Sequence, residues 1–313
     1  MTDAPSRPAV EVRGLTKRFG ARTAVDSLGF ACAAGEVFGF VGPDGAGKTT
    51  IMRLLAAVMP PDAGSIVIEG VDAVREPERV RSHVSYMPQR FGLYEDLTVD
   101  ENIAFFAELF GIRRNDRDAR AARLLAASGM TPFRKRRAGQ LSGGMKQKLG
   151  LTCSLIHTPK VLLLDEPTAG VDPVSRRDFW RILYGLRGEG VAIVVATSYL
   201  DEAERCGRLG LMREGRMLYC DTPSALKALM PGEILAIAAP APRAARDVVA
   251  SLEGVGGAIL MGDSVHVVVD GAARRLGAIE AALAAANVPF DEIERIAPSI
   301  EDLFVSLLTE KAE

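Results

Sequence analysis

The run Gly42-Pro43-Asp44-Gly45-Ala46-Gly47-Lys48-Thr49 constrains this chain more than any other stretch. It has the form G-x-x-x-x-G-K-[ST]. It follows an apolar run, Val37 to Val41, and opens a helical pattern of Thr49, Thr50, Ile51, Met52, Leu54 and Leu55. Strand, glycine-rich turn and helix in that order are what a phosphate cradle requires. Glycines let the backbone close around phosphate oxygens, the amide groups point inward, and the helix N-terminus adds partial positive charge. Lys48 is placed to reach the β- and γ-phosphates of a nucleotide, and the Thr49 hydroxyl to bind Mg²⁺. The chain holds 30 Arg and only 8 Lys, so a Lys at this point is informative. The plainer alternative is a glycine turn that merely starts a helix.

Around this loop the hydrophobic pattern alternates between strand and helix. Val10 to Val12, Val37 to Val41 and Ser65 to Ile68 read as strands. Residues 98 to about 150 change to helical spacing (Val99, Ile103, Phe106, Leu109, Phe110, then Leu124, Leu125). From 160 the alternation resumes: Val161 to Leu164, a helix near Val174 to Leu186, Val191 to Ala196, a helix near Leu200 to Arg205, then Leu209 to Met212 and Arg216 to Tyr219. This predicts an α/β P-loop core with a mostly parallel sheet and an inserted α-helical subdomain, spanning residues 9–230. Composition shifts near Pro231. The tail, residues 232–313, reads strand, helix, strand, strand, helix, strand, followed by an amphipathic helix from Ile300 to Leu308. That order predicts a small α+β domain of the βαββαβ, ferredoxin-like kind.

Two further motifs fit the loop. Val161-Leu162-Leu163-Leu164-Asp165-Glu166 is a buried-strand pattern ending in two carboxylates, at the edge where α/β sheets place ligands. Asp165 is a candidate to hold Mg²⁺ through water, and Glu166 to orient or deprotonate the attacking water. Leu141-Ser142-Gly143-Gly144-Met145-Lys146-Gln147 precedes a second helix, with Ser142 a natural N-cap and glycines exposing amides. One nucleotide does not need two such helix ends from one subunit. Ser142, Gly143 and Gly144 are therefore candidates to meet a nucleotide held by another copy.

The order of P-loop, LSGG-type signature and Asp-Glu strand resembles the ATP-binding subunits of ABC transporters, over residues 9 to about 230. The resemblance implies ATP and Mg²⁺ as bound species, with Gly42, Pro43, Asp44, Gly45, Ala46, Gly47, Lys48, Thr49 and Thr50 as the cradle. It implies that Phe19 stacks on adenine, where a core position is the alternative. It implies that Gln89, in Tyr86-Met87-Pro88-Gln89, senses Mg²⁺ and faces a membrane subunit, where a plain surface loop is the alternative. Asp172, in Ala169-Gly170-Val171-Asp172, resembles a contact residue across the dimer. The closing Pro298-Ser299-Ile300-Glu301-Asp302-Leu303-Phe304 resembles drug-exporting members whose membrane partners are ABC-2 type permeases. Several runs are similar to the first nucleotide-binding half of YbhF-like multidrug exporters. The implied partners are a second ATP-binding subunit and permease subunits. The implied place is cytoplasmic, at the inner face of the membrane.

One departure stands out. After Val191 to Ala196 the family usually reads Thr-His, and here the run is Thr197-Ser198-Tyr199-Leu200-Asp201-Glu202. Serine is shorter and cannot carry the charge of an imidazolium. Binding is expected to persist, and hydrolysis by Glu166, Lys48, Gln89 and Ser198 to be slow. Asp44 is the other oddity, and its side chain is expected to turn away from the phosphates. A regulatory subunit that clamps ATP beside a more active partner, and a soluble ABC protein of translation or DNA repair, remain as alternatives.

Composition narrows the classes further. Net charge is −2 and the basic and acidic residues balance, so nucleic acid is not an expected partner. No uncharged apolar run approaches the roughly 18 residues of a membrane span, and residues 1–8 lack the pattern of a signal peptide. Four scattered cysteines and three scattered histidines form no zinc or disulfide framework. The stretch Ile112 to Arg137 holds eight Arg and one Lys against two Asp. It reads as a solvated arginine-rich face, with anionic headgroups or RNA as alternatives.

Overall fold

The computed structural model describes residues 7–309. Two compact units divide between Cys220 and Asp221. The one-turn helix Pro223–Lys227, capped by Thr222, therefore groups with the second unit.

The first unit is built on two sheets. The larger has six strands, in the order Arg216–Asp221, Arg208–Arg213, Val37–Val41, Ala192–Thr197, Val161–Asp165 and Val84–Met87. The four pairings from Arg208–Arg213 to Val84–Met87 are parallel. Their sequences VFGFV, VLLLD and AIVVAT are buried at every position, the near-continuous apolar runs expected of parallel strands covered on both faces. The smaller sheet is antiparallel, in the order Arg22–Cys32, Val10–Phe19, Ala63–Ile68 and Val71–Asp72. A single apolar cluster joins both sheets and the helix Lys48–Leu55. Phe30, Phe38 and Phe40 stand at its centre with ring centroids 4.8–5.1 Å apart. Each such pair contributes about 0.5–1.5 kcal/mol beyond its buried area.

The expected helical insertion is present as Val99–Leu109, Arg114–Ala127 and Gly143–Leu155. The first starts at a capping box: Thr98 Oγ1 accepts from the Glu101 N–H, and the Thr98 N–H donates to Glu101. Fully buried Asn102 donates to the carbonyls of Tyr94, Leu97 and Thr98 and accepts from the Tyr94 N–H. The loop that follows Gln89 is pinned in this way. Most arginines of the basic stretch are engaged locally. Arg114 and Arg117 pair with Asp118, Arg134 with Asp100 and Arg123 with Glu189, while Arg120 donates to the Ile156 carbonyl. That agrees with a solvated, paired face.

Several elements were not resolved in the sequence pattern: the strands Arg22–Cys32 and Val84–Met87, and the helix Pro77–His83. The helix expected near Leu200 to Arg205 is a single turn, Leu200–Ala203.

The second unit has the antiparallel sheet Val255–Met261, Ser264–Val269, Glu233–Ala238 and Glu292–Ile296, in that order. The helices Pro242–Val249 and Ala272–Ala285 occupy the crossovers. This is the ferredoxin-like order expected from the sequence. The last helix begins at Ile300. Buried Asp302 accepts from the Ser299 N–H and hydroxyl and lies 2.7 Å from His266 Nδ1, which ties that helix to the sheet.

Candidate functional site

The P-loop leaves the end of the strand Val37–Val41 and enters the helix Lys48–Leu55 through Gly47, whose φ is +103°. A Cβ on Gly47 would lie 2.3 Å from the Ala24 carbonyl oxygen, and one on Gly42 would lie 2.3 Å from that of Met212. The neighbouring strands therefore press the loop into shape, and only glycine fits at these two points. The loop borders a cavity of about 410 Å³. Asp44 to Thr50 line one side, with Phe19, Gln89 and Glu166 around the rest.

Lys48 is buried. Its Nζ donates to the Gly42 carbonyl (2.7 Å), the Pro43 carbonyl (3.1 Å) and Ser198 Oγ (2.9 Å), and lies 3.4 Å from Glu166 Oε1. Ser198 joins the two charged groups: its Oγ is 2.8 Å from Glu166 Oε1, and its N–H donates to Glu166 Oε2 at 3.1 Å. Glu166 has a left-handed backbone, φ +50°, and its N–H donates to the Ala196 carbonyl at 2.8 Å. A non-glycine residue in that region is strained, and such strain concentrates at functional positions.

Asp165 is buried at the end of its strand. One carboxylate oxygen accepts from the Thr49 hydroxyl (3.1 Å) and the other from the Tyr86 hydroxyl (3.2 Å). Burial raises the Asp165 carboxyl above its ordinary value, against the two hydroxyl hydrogen bonds. Burial and the nearby Asp165 charge push the Tyr86 phenol up to about 12. A buried carboxylate beside a threonine hydroxyl is a hard-oxygen donor set and suits Mg²⁺. Thr49 and Asp165 fit that ion, with Gln89 facing the same cavity.

The other expected residues divide clearly. Phe19 is 51% exposed at the cavity edge, which removes the core alternative. Asp44 is exposed, but its Oδ1 lies 3.4 Å from Ser198 Oγ at the cavity rim. The loop geometry brings its side chain to Ser198. Ser142 caps the helix Gly143–Leu155, accepting from the Met145 N–H. Neither Ser142, Gly143 and Gly144 nor Asp172 borders the cavity of their own chain. Asp172 caps the helix Pro173–Gly188 through the Ser175 N–H at 2.9 Å. A Cβ on Gly144 would lie 2.5 Å from Ser175 Oγ, so the signature packs against this second cap. Lys146, one turn on, pairs with Glu95 in the loop beyond Gln89 at 2.7 Å.

Sequence reasoning missed three contributors. Arg22 and Ala24 line the cavity, and Arg22 donates to the Gly45 carbonyl at 3.0 Å. Tyr86 holds Asp165. Arg22 stands three residues past Phe19, across a tight turn, which was the available signal.

The ABC transporter family model matches residues 25–169. The chain is 33% identical to the daunorubicin resistance ATP-binding protein DrrA2 of Streptomyces coeruleorubidus, over 97% of this chain and 96% of that one. It is an ABC transporter ATP-binding protein. The probable multidrug ABC transporter ATP-binding protein YbhF of Escherichia coli K12 is 43% identical over 96% of this chain, but the match takes in 52% of that relative. This ABC protein thus spans about half the length of YbhF. A solved ATP-binding subunit of an ABC transporter superposes with TM-score 0.64 at 27% identity, covering 70% of this chain and 92% of the other. The family is one of ATP-hydrolysing cassettes, and the likeness to YbhF and DrrA2 bears out the resemblance to drug exporters.

Proposed function

We propose that the chain is the ATP-hydrolysing subunit of an exporter, closing as a dimer on two Mg-ATP and driving ABC-2 type permease subunits from the cytoplasmic face. The observation that carries this reading is the linked set Lys48, Ser198, Glu166 at the mouth of the P-loop. The names of YbhF and DrrA2, with their multidrug and daunorubicin terms, support export. No described helix is long and apolar enough to cross a membrane, and in this reading the crossing is left to permease subunits.

In this account the P-loop amides and Lys48 bind the β- and γ-phosphates, and Phe19 stacks on adenine. Thr49, Asp165 and Gln89 would hold Mg²⁺, which when bound would supply positive charge against the phosphates. Glu166 orients and deprotonates the attacking water. Ser198 occupies the place of the usual histidine and supplies a neutral hydroxyl, so the transition state receives weaker stabilisation and turnover is slow. Ser142, Gly143, Gly144 and Asp172, turned away from their own cavity, meet the nucleotide of the second copy. The Lys146–Glu95 pair links that signature to the Gln89 loop, a physical route from nucleotide to permease. The second unit is read as serving dimer stabilisation or regulation. A chain lacking 232–313 that dimerised on Mg-ATP as the full chain does would remove the first of these roles.

A clamp that binds ATP without cleaving it is favoured by Ser198 alone. Single-turnover hydrolysis by the full chain separates the two readings. We expect slow, complete conversion of bound ATP to ADP and phosphate; tight binding with no conversion would establish the clamp.

A further inference from the structure

Glu202 carries a carboxylate that the hydrolytic account leaves without a task. It is fully buried on the single-turn helix Leu200–Ala203. Three neutral donors converge on it. Thr197 Oγ1 donates to Oε2 at 2.7 Å, Trp180 Nε1 donates to Oε1 at 3.1 Å, and Thr168 Oγ1 donates to Oε1.

These donors come from three separate parts of the fold. Thr197 ends the central strand and immediately precedes Ser198. Thr168 lies two residues beyond Glu166 and is itself fully buried. Trp180, the single tryptophan of the chain, is buried on the helix Pro173–Gly188. The Thr197 oxygen also accepts from the Tyr199 N–H at 3.0 Å, so the bonds bracket Ser198 on both sides. From the same helix, Arg176 stacks over Tyr199 at 4.4 Å and pairs with Asp201. A carboxylate accepts from all three as they stand. An amide there would force a threonine hydroxyl to give up its donated bond and accept instead.

Burying a carboxylate is costly unless its hydrogen bonds are satisfied. Here they are satisfied by Thr197, next to Ser198, by Thr168, two residues past Glu166, and by Trp180 from the helix Pro173–Gly188. We propose that Glu202 is a positioning residue for ATP hydrolysis. It fixes the backbone on either side of Ser198 and the loop just past Glu166, which keeps the serine hydroxyl and the water-activating carboxylate in register.

The inference rests on the ATPase reading above, so one arm of its test needs no turnover. The full chain and its Glu202→Gln variant are compared, with Thr197→Val and Thr168→Val as milder changes should Glu202→Gln fail to fold. The first readout is Mg-ATP turnover, split into kcat and KM. The second is hydrogen exchange of residues 197–200 in nucleotide-free protein, with the strand Val161–Asp165 as internal reference. We expect kcat to fall about 10-fold or more, the scale seen when outer-shell partners are removed. KM should stay within about twofold, since substrate binding is not touched. Exchange at 197–200 should rise about 10-fold, with the reference strand unchanged. Unchanged exchange at 197–200, or unchanged kcat in a wild type that turns over, overturns the inference. So does a uniform rise in exchange that includes the reference strand, which marks a purely structural residue. Absence of turnover in the wild type would sink the ATPase reading separately, and the exchange arm alone would then decide this one.

Discussion

Replacing Ser198 by histidine probes the proposal that its neutral hydroxyl limits turnover. In the structure one short hydroxyl stands between a cation and a carboxylate, 2.9 Å from Lys48 Nζ and 2.8 Å from Glu166 Oε1. An imidazole extends roughly 2 Å farther from the backbone, more than one bond length of about 1.5 Å. It therefore reaches past that pair, and in the proposed mechanism would offer its N–H to the terminal phosphate. Restoring one transition-state donor is worth about 10²–10³-fold in rate, or about 2.7–4 kcal/mol. Part of that gain is offset, because the ring must displace the Asp44 carboxylate that lies 3.4 Å from Ser198 Oγ. A net gain of roughly 10- to 100-fold in kcat is expected after that discount. The assay is steady-state phosphate release by the full chain, with ATP affinity measured in parallel. A Ser198→His variant that binds ATP but is no faster would refute the reasoning. So would a wild-type kcat near the enzyme median of about 10 s⁻¹, since there would be no deficit to repair.

Other consequences follow from individual contacts. Gly47→Ala combines a φ of +103° with a Cβ 2.3 Å from the Ala24 carbonyl; it should destabilise the chain by about 2 kcal/mol or more and abolish ATP binding, as read by thermal unfolding with and without nucleotide. Tyr86→Phe removes one of two hydroxyls from Asp165; the Mg²⁺ concentration for half-maximal ATP binding should rise about 10-fold, the low end of the roughly 10–100-fold range of outer-shell losses, while binding without Mg²⁺ is unchanged. His157 is held below its ordinary pKa by burial, against Phe110 with ring centroids 3.9 Å apart. The unfolded chain therefore takes up the proton first as pH falls. The contribution of the neutral ring is full above about pH 6.5 and is lost as pH drops below it toward the lowered folded value. Denaturant unfolding between pH 7 and pH 5 should show this decline, and His157→Gln should flatten it.

The chemistry of the site was largely legible because it is local in sequence. The P-loop, the Asp165-Glu166 pair and the Ser142 cap each lie within one strand-to-turn or turn-to-helix junction. Spacing alone reveals such junctions. The βαββαβ tail was equally plain, since each of its elements has a clean period. What stayed hidden depends on long-range pairing. The strand Arg22–Cys32 has its alternation broken at Ser27, where φ is +51° and the register with Val10–Phe19 shifts. Val84–Met87 is four residues at a sheet edge with a serine among them. Arg22 and Ala24, which line the cavity, and Tyr86, which bonds Asp165, lie on those two strands, so the residues that were missed are those whose elements were missed. Asp44 belongs to neither group. Its contact with Ser198 spans 154 residues and depends on how the P-loop meets the end of the central strand.

Single-turnover hydrolysis by the wild type and by Glu166→Gln tests the central claim most directly. Glu166 is the only carboxylate bonded to both the N–H and the hydroxyl of Ser198 among the described residues, and it lies 3.4 Å from Lys48 Nζ. The account predicts that both proteins bind Mg-ATP, that the wild type converts it slowly to ADP and phosphate, and that Glu166→Gln holds it uncleaved as a dimer. Cleavage by Glu166→Gln at the wild-type rate would contradict the account.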